Sequence, residues 1–184
     1  MKTLNNIRQF VILSTLATAF VACDKEELPE LGIEAEMNLA YEDLTFTVPA
    51  SSLTGDIQVQ LDVDPQELED LIVSNGYTMD QLKEVRLTAA HLELIDGNGT
   101  FDALGQVQLR MFAAGGMEQL IAQVSYVPDN AISLDLETGG ENIMEFFQLD
   151  DASIAVFGQV NEAVQEDMEV KASIAFRIVV STSS

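Results

Sequence analysis

Tryptophan is absent from this 184-residue chain, cysteine and histidine occur once each, and 8 Lys+Arg stand against 31 Asp+Glu for a formal charge of −23. Each shortage removes a class of function. A lone cysteine allows no disulfide within the chain, and with one histidine beside it the four ligands of a structural zinc site are not available. Scarce cations argue against nucleic acid, whose binding depends on Lys and Arg neutralising phosphate. The same shortage argues against docking on anionic headgroups. The longest strongly apolar stretch, Phe10 to Phe20, has 11 residues, short of the ~20 that span a bilayer as a helix. No G-x-S-x-G nucleophile elbow occurs. Without tryptophan, stacking on a sugar ring falls first to the three tyrosines, Tyr41, Tyr77 and Tyr126.

What the chain does have begins at its N-terminus. Lys2 and Arg8 give a positive leader without acids, the apolar run follows, and Phe20-Val21-Ala22-Cys23 ends it. This order is that of an export signal. The four final residues resemble the lipobox of bacterial lipoproteins. That resemblance implies cleavage before Cys23, a diacylglycerol thioether on its sulfur and an acyl chain such as palmitate on its new amino group. Two or three acyl chains anchor stably where one does not. Asp24-Lys25-Glu26-Glu27 then resembles the acidic surface-export signal of Bacteroidota lipoproteins, which implies an outer-membrane lipoprotein on the cell surface. The alternatives are a periplasm-facing or a secreted protein. An ordinary cut after Ala17-Thr18-Ala19 leaves Cys23 a free thiol instead.

The expected division is 1–22 signal peptide, 23–36 lipid-anchored acidic tether, and 37–184 a single domain. Lys2 and Arg8 leave with the signal, so six cations face all 31 acids, a formal −25. Within the domain, apolar and polar residues alternate: Leu44, Phe46 and Val48; Ile57, Val59, Leu61 and Val63; Val107, Leu109, Met111 and Ala113; Leu120, Ala122, Val124 and Tyr126; Ile132, Leu134 and Leu136; Ile154, Val156 and Val160; and Val170 through Val180. Such alternation means strands with one wet face. Val85 and Leu87 give way to Leu92 and Leu94, a phase slip that predicts a β-bulge near Ala89-Ala90. Asp64-Pro65-Gln66-Glu67 reads as a capped helix start, and Glu141 to Gln148 as a second short helix. About eight strands with one or two helical inserts predict an all-β fold, an antiparallel two-sheet β-sandwich of jelly-roll or Ig-like type. A lipocalin-like barrel ranks second.

Chemistry is sparse. Asp96, Asn98, Thr100 and Asp102 present oxygens at alternate positions, as in a calcium loop, so Ca2+ is the one cofactor to consider. The glycine at the sixth position and the closing Glu are missing, and a Gly-Asn-Gly turn needs no metal. His91 is expected to face solvent or bond locally rather than act as a base. No catalytic residue is assigned, and acid pairs such as Glu141 with Glu145 follow from composition alone. Tyr126 falls in the apolar phase and is expected in the core, leaving Tyr77 as the ligand-binding candidate. The expected function is a non-catalytic interaction or accessory module, held at the membrane by its lipid and meeting an envelope protein. A surface module binding a glycan or small molecule is the alternative, and a hydrolase comes third.

Overall fold

The computed structural model describes residues 34–50, 54–64, 66–95, 99–149 and 151–182. Nine strands form two antiparallel sheets. They are β1 Glu34–Val48, β2 Gly55–Leu61, β3 Leu82–Leu94, β4 Leu104–Ala113, β5 Met117–Val124, β6 Ser133–Asp135, β7 Glu137–Thr138, β8 Ser153–Val160 and β9 Met168–Ser181. Helix α1 spans Gln66–Ser74 and α2 spans Met144–Phe147. The four-stranded sheet runs β1-β9-β3-β6 and the five-stranded sheet β2-β8-β4-β5-β7. With two-residue β7 set aside, this is the jelly-roll order, in which the first and second strands lie in opposite sheets. An Ig-like order would put them side by side in one sheet. Each sheet ends in open edges, so the fold is a sandwich and not the closed lipocalin-like barrel.

β1 begins at Glu34, three residues inside the stretch assigned to the tether. Cys23 and the rest of the signal and tether lie outside the described residues. In β1 the core residues are Met37, Leu39 and Tyr41 on one side of a register shift and Val48 on the other. Asp43 sits in that shift with φ 63°, a conformation Asp tolerates better than most residues. The bulge expected in β3 is present one position earlier: pairing with β9 slips between Leu87 and Ala89, so Ala90, Leu92 and Leu94 take over the core face. At the α1 start, the Gln66 amide donates to Asp64 Oδ1 at 2.9 Å.

The core lies between the sheets. Phe176, fully buried in β9, meets Tyr41 and Phe147 edge-on with centroids 6.2 and 5.7 Å away. Leu68, Leu71 and Ile72 of α1 and Phe146 and Phe147 of α2 join the same cluster. The void between the sheets, bordered by Phe46, Val48, Ile57 and Val156, measures only about 10 Å³. That is room for about one water, so this part of the interior is packed rather than hollow.

Candidate functional site

A packed interior leaves the two outer sheet faces and the clefts at the sandwich rim. On the four-stranded sheet, register places Asn38, Arg177 and Arg86 in one row, Ala40, Ala175 and Ala89 in the next, then Ser173, His91 and Asp135. Its two arginines and Lys171 are each matched by acids. Arg177 donates to Glu36 and, at 3.0 Å, to Glu84 Oε1; Arg86 donates to Glu84 Oε2 at 3.0 Å and to the Gly140 carbonyl. Lys171 Nζ lies 3.1 Å from Glu93 Oε2. The hydrogen bond and charge of Arg177 hold the Glu36 carboxyl below its usual range, and the bond to Glu93 holds the Lys171 ammonium above its own.

Ser173, His91 and Asp135 repeat the chemical order of a hydrolytic triad, and His91 Nδ1 lies 2.7 Å from Asp135 Oδ1. The likeness stops there. No side-chain hydrogen bond joins Ser173 to His91 among the described residues, and the Asp135 side chain is 92% exposed on a sheet face. Triad chemistry works from a desolvated, enclosed setting. His91 is therefore a locally bonded sheet histidine, as its position in the sequence suggests.

The calcium candidates divide. Asp96 and Asn98 lie outside the described residues. Thr100 borders a rim cleft of about 670 Å³ together with Leu94, Glu162, Glu166, Asp167 and Glu169. Asp102 instead accepts the Asn130 amide at 2.5 Å, fixing the turn after Pro128. Among the described residues no three His, Cys, Asp or Glu side chains gather as a metal site.

The tyrosines fall otherwise than the alternation implies. Tyr77 is half-buried and packs against the core cluster, so its ring is no open platform. Tyr126, expected in the core, is 68% exposed. The reason is local: β5 ends at Val124, which still pairs with buried Val107, so the alternation does not carry to position 126. Tyr41 is buried, with its hydroxyl donating to the Asp64 carbonyl at 2.8 Å.

The outer face of the five-stranded sheet is different in kind. One row across it reads Gln58, Phe157, Gln108, Gln123 and Glu137; the flanking rows hold Asp56 with Gln159 and Gln106, and Gln60 with Ala155, Arg110 and Leu120. Phe112 stands beside Phe157, with centroids 5.8 Å apart, and the Arg110 guanidinium lies 5.2 Å from the Phe157 ring centre. Arg110 is neutralised by Glu118, and its Nε and Nη2 both donate to Gln108 Oε1, at 2.9 and 2.6 Å. The side chains of Gln58, Gln60, Gln106, Gln123 and Gln159, and the Gln108 amide nitrogen, have no hydrogen-bond partner among the described residues. A line of free amides thus surrounds a small cluster of two tilted rings and a guanidinium, with acids only at its margin. Alternation marks these positions merely as wet. The overlooked signal is Gln58-Val59-Gln60 and Gln106-Val107-Gln108: neutral amides on the solvent side of strands in a chain otherwise filled with acids. No protein-family model matches the chain, and no curated protein matches it significantly.

Proposed function

We propose that this chain is a lipid-anchored, non-catalytic binding module of the cell envelope, tethered through Cys23 to the outer membrane and facing outward. Its working surface is the outer face of the five-stranded sheet. The contrast between the two faces carries this reading. On the four-stranded sheet Arg86, Lys171 and Arg177 are each tied to acids, and on the five-stranded sheet a row of glutamine amides is left free for something else. The row that comes nearest to a catalytic centre lies open on a sheet face, which supports binding over hydrolysis.

The anchor is tested in cells fed an alkyne fatty acid. The wild-type chain takes up label and sediments with the outer membrane, whereas Cys23→Ala takes up none and is not released by signal cleavage at that position. An unlabelled wild type, or label that persists in Cys23→Ala, removes the anchor from the proposal. Protease added to intact cells digests an outward-facing module and spares a periplasmic one.

A further inference from the structure

We infer that the outer face of the five-stranded sheet binds a neutral polysaccharide chain lying across β2, β8, β4 and β5. This inference rests on the binding-module reading above and names its ligand class.

Charge comes first. The centre of the face holds Gln58, Gln60, Gln106, Gln108, Gln123 and Gln159 around Phe112, Phe157 and an Arg110 already paired with Glu118. That centre carries no net charge, with Asp56 and Glu137 at the ends of its rows, in a chain with a formal charge of −23. A cationic partner would be drawn to the acids elsewhere, and an anionic one would be repelled by the molecule as a whole. The complementary ligand is uncharged.

Hydrogen bonding comes second. A glutamine amide offers two donors and a carbonyl acceptor on one planar group, which suits neighbouring hydroxyls that both give and accept. Arg110 fixes the Gln108 carbonyl from two nitrogens and so leaves its amide nitrogen held in place as a donor. The Phe112–Phe157 pair, its rings inclined at 38°, and the Arg110 guanidinium supply a partly apolar centre for the C–H face of a sugar ring.

Shape comes third. The surface is a sheet face and not a cavity, so it suits an extended chain rather than a small molecule enclosed on several sides. Gln58, Phe157, Gln108 and Gln123 lie on four successive strands, a row of ~14 Å at the usual strand spacing. Adjacent strands are separated by a distance comparable to one sugar ring, so successive sugars meet successive strands.

The test uses the full-length protein reconstituted in phosphatidylcholine vesicles and titrated with fluorescent β-glucan, xylan and mannan chains. Polygalacturonate serves as the anionic control. The expected result is saturable binding of at least one neutral chain and none of polygalacturonate. Gln108→Glu puts a charge at the centre of the face and Phe157→Leu removes a ring while keeping its apolar character; each weakens binding roughly tenfold or more. Gln58→Ala, at an exposed position on the edge strand β2, guards against loss through misfolding and weakens binding by a smaller factor. Asp135→Asn on the opposite sheet leaves binding unchanged. The inference is overturned if no neutral chain binds, or if these glutamine and phenylalanine variants bind as wild type does. A photo-crosslinking residue in place of Gln58, in the native host, separates the two levels. A defined protein caught there while every glycan fails leaves the module standing and removes its glycan; silence in both assays removes both.

Discussion

Tyr41 shows how one side chain ties the N-terminal strand to the helix entry. It is 6% exposed, its ring edge packs on Phe176, and its hydroxyl closes a 2.8 Å bond to the Asp64 carbonyl just ahead of α1. Burial pushes its phenol well above the ordinary value, with the Glu67 and Asp64 carboxylates adding to the effect. A phenol that resists ionisation when folded contributes stability that is fully present below the unfolded value, about 10, and is lost as pH rises beyond it. Alkaline titration of stability should therefore show a falling limb above about pH 10. Tyr41→Phe should lower stability at neutral pH by about 1 kcal/mol, through the unpaired carbonyl, and flatten that limb. Urea unfolding at successive pH values measures both. A limb equally steep in the variant would place its origin elsewhere.

At the scale of elements, β9 organises the four-stranded sheet. It pairs with β1 over Glu34 to Val48 and with β3 over Leu82 to Leu94, so the sheet assembles only when the last described strand meets the first. Val170, Ala172, Ile174, Phe176, Ile178 and Val180 all face the core at 2% exposure or less. Phe176→Ala removes the ring that joins Tyr41 to Phe147, and the vacated space should cost about 3–5 kcal/mol. A shift of the denaturant midpoint at unchanged slope would register it, and a loss under 1 kcal/mol would mean that the neighbours collapse into the gap. This strand was also the most legible in the sequence, because its alternation runs without a bulge. Elsewhere the alternation holds within each segment and fails at the joins. The bulge in β1 at Glu42–Asp43 left no apolar doublet to betray it. The slip at Ile121 put Leu120 beside Arg110 on the outer face, and the end of β5 at Val124 left Tyr126 in the open. The run Ile132-Leu134-Leu136 read as one strand, yet β6 pairs with β3 and β7 with β5, so the chain changes sheets at Leu136. The outer faces were the least legible. Period-2 patterning says which residues are wet, but only strand order reveals that the glutamines of β2, β4, β5 and β8 share one surface.

For the whole molecule the dominant fact is charge. The acids outnumber the cations by 23, and the ion pairs on the four-stranded sheet, Arg177 with Glu36 and Glu84, Arg86 with Glu84, and Lys171 with Glu93, engage only a few of them. These pairs are at least partly exposed, where a bridge contributes little. Salt screens both the pairs and the wider repulsion, since the Debye length contracts from about 30 Å at 0.01 M to about 8 Å at 0.15 M. Repulsion involves many more acids than attraction does, so its relief should win. The thermal midpoint should accordingly rise by about 2–4 °C over that range of sodium chloride, the shift that ~1 kcal/mol produces in a domain of this size. Sucrose, which carries no charge, serves as the control for solvent exclusion. A midpoint that falls with salt would mean that the network around Arg177 outweighs the net charge, and Arg177→Met would then remove the fall.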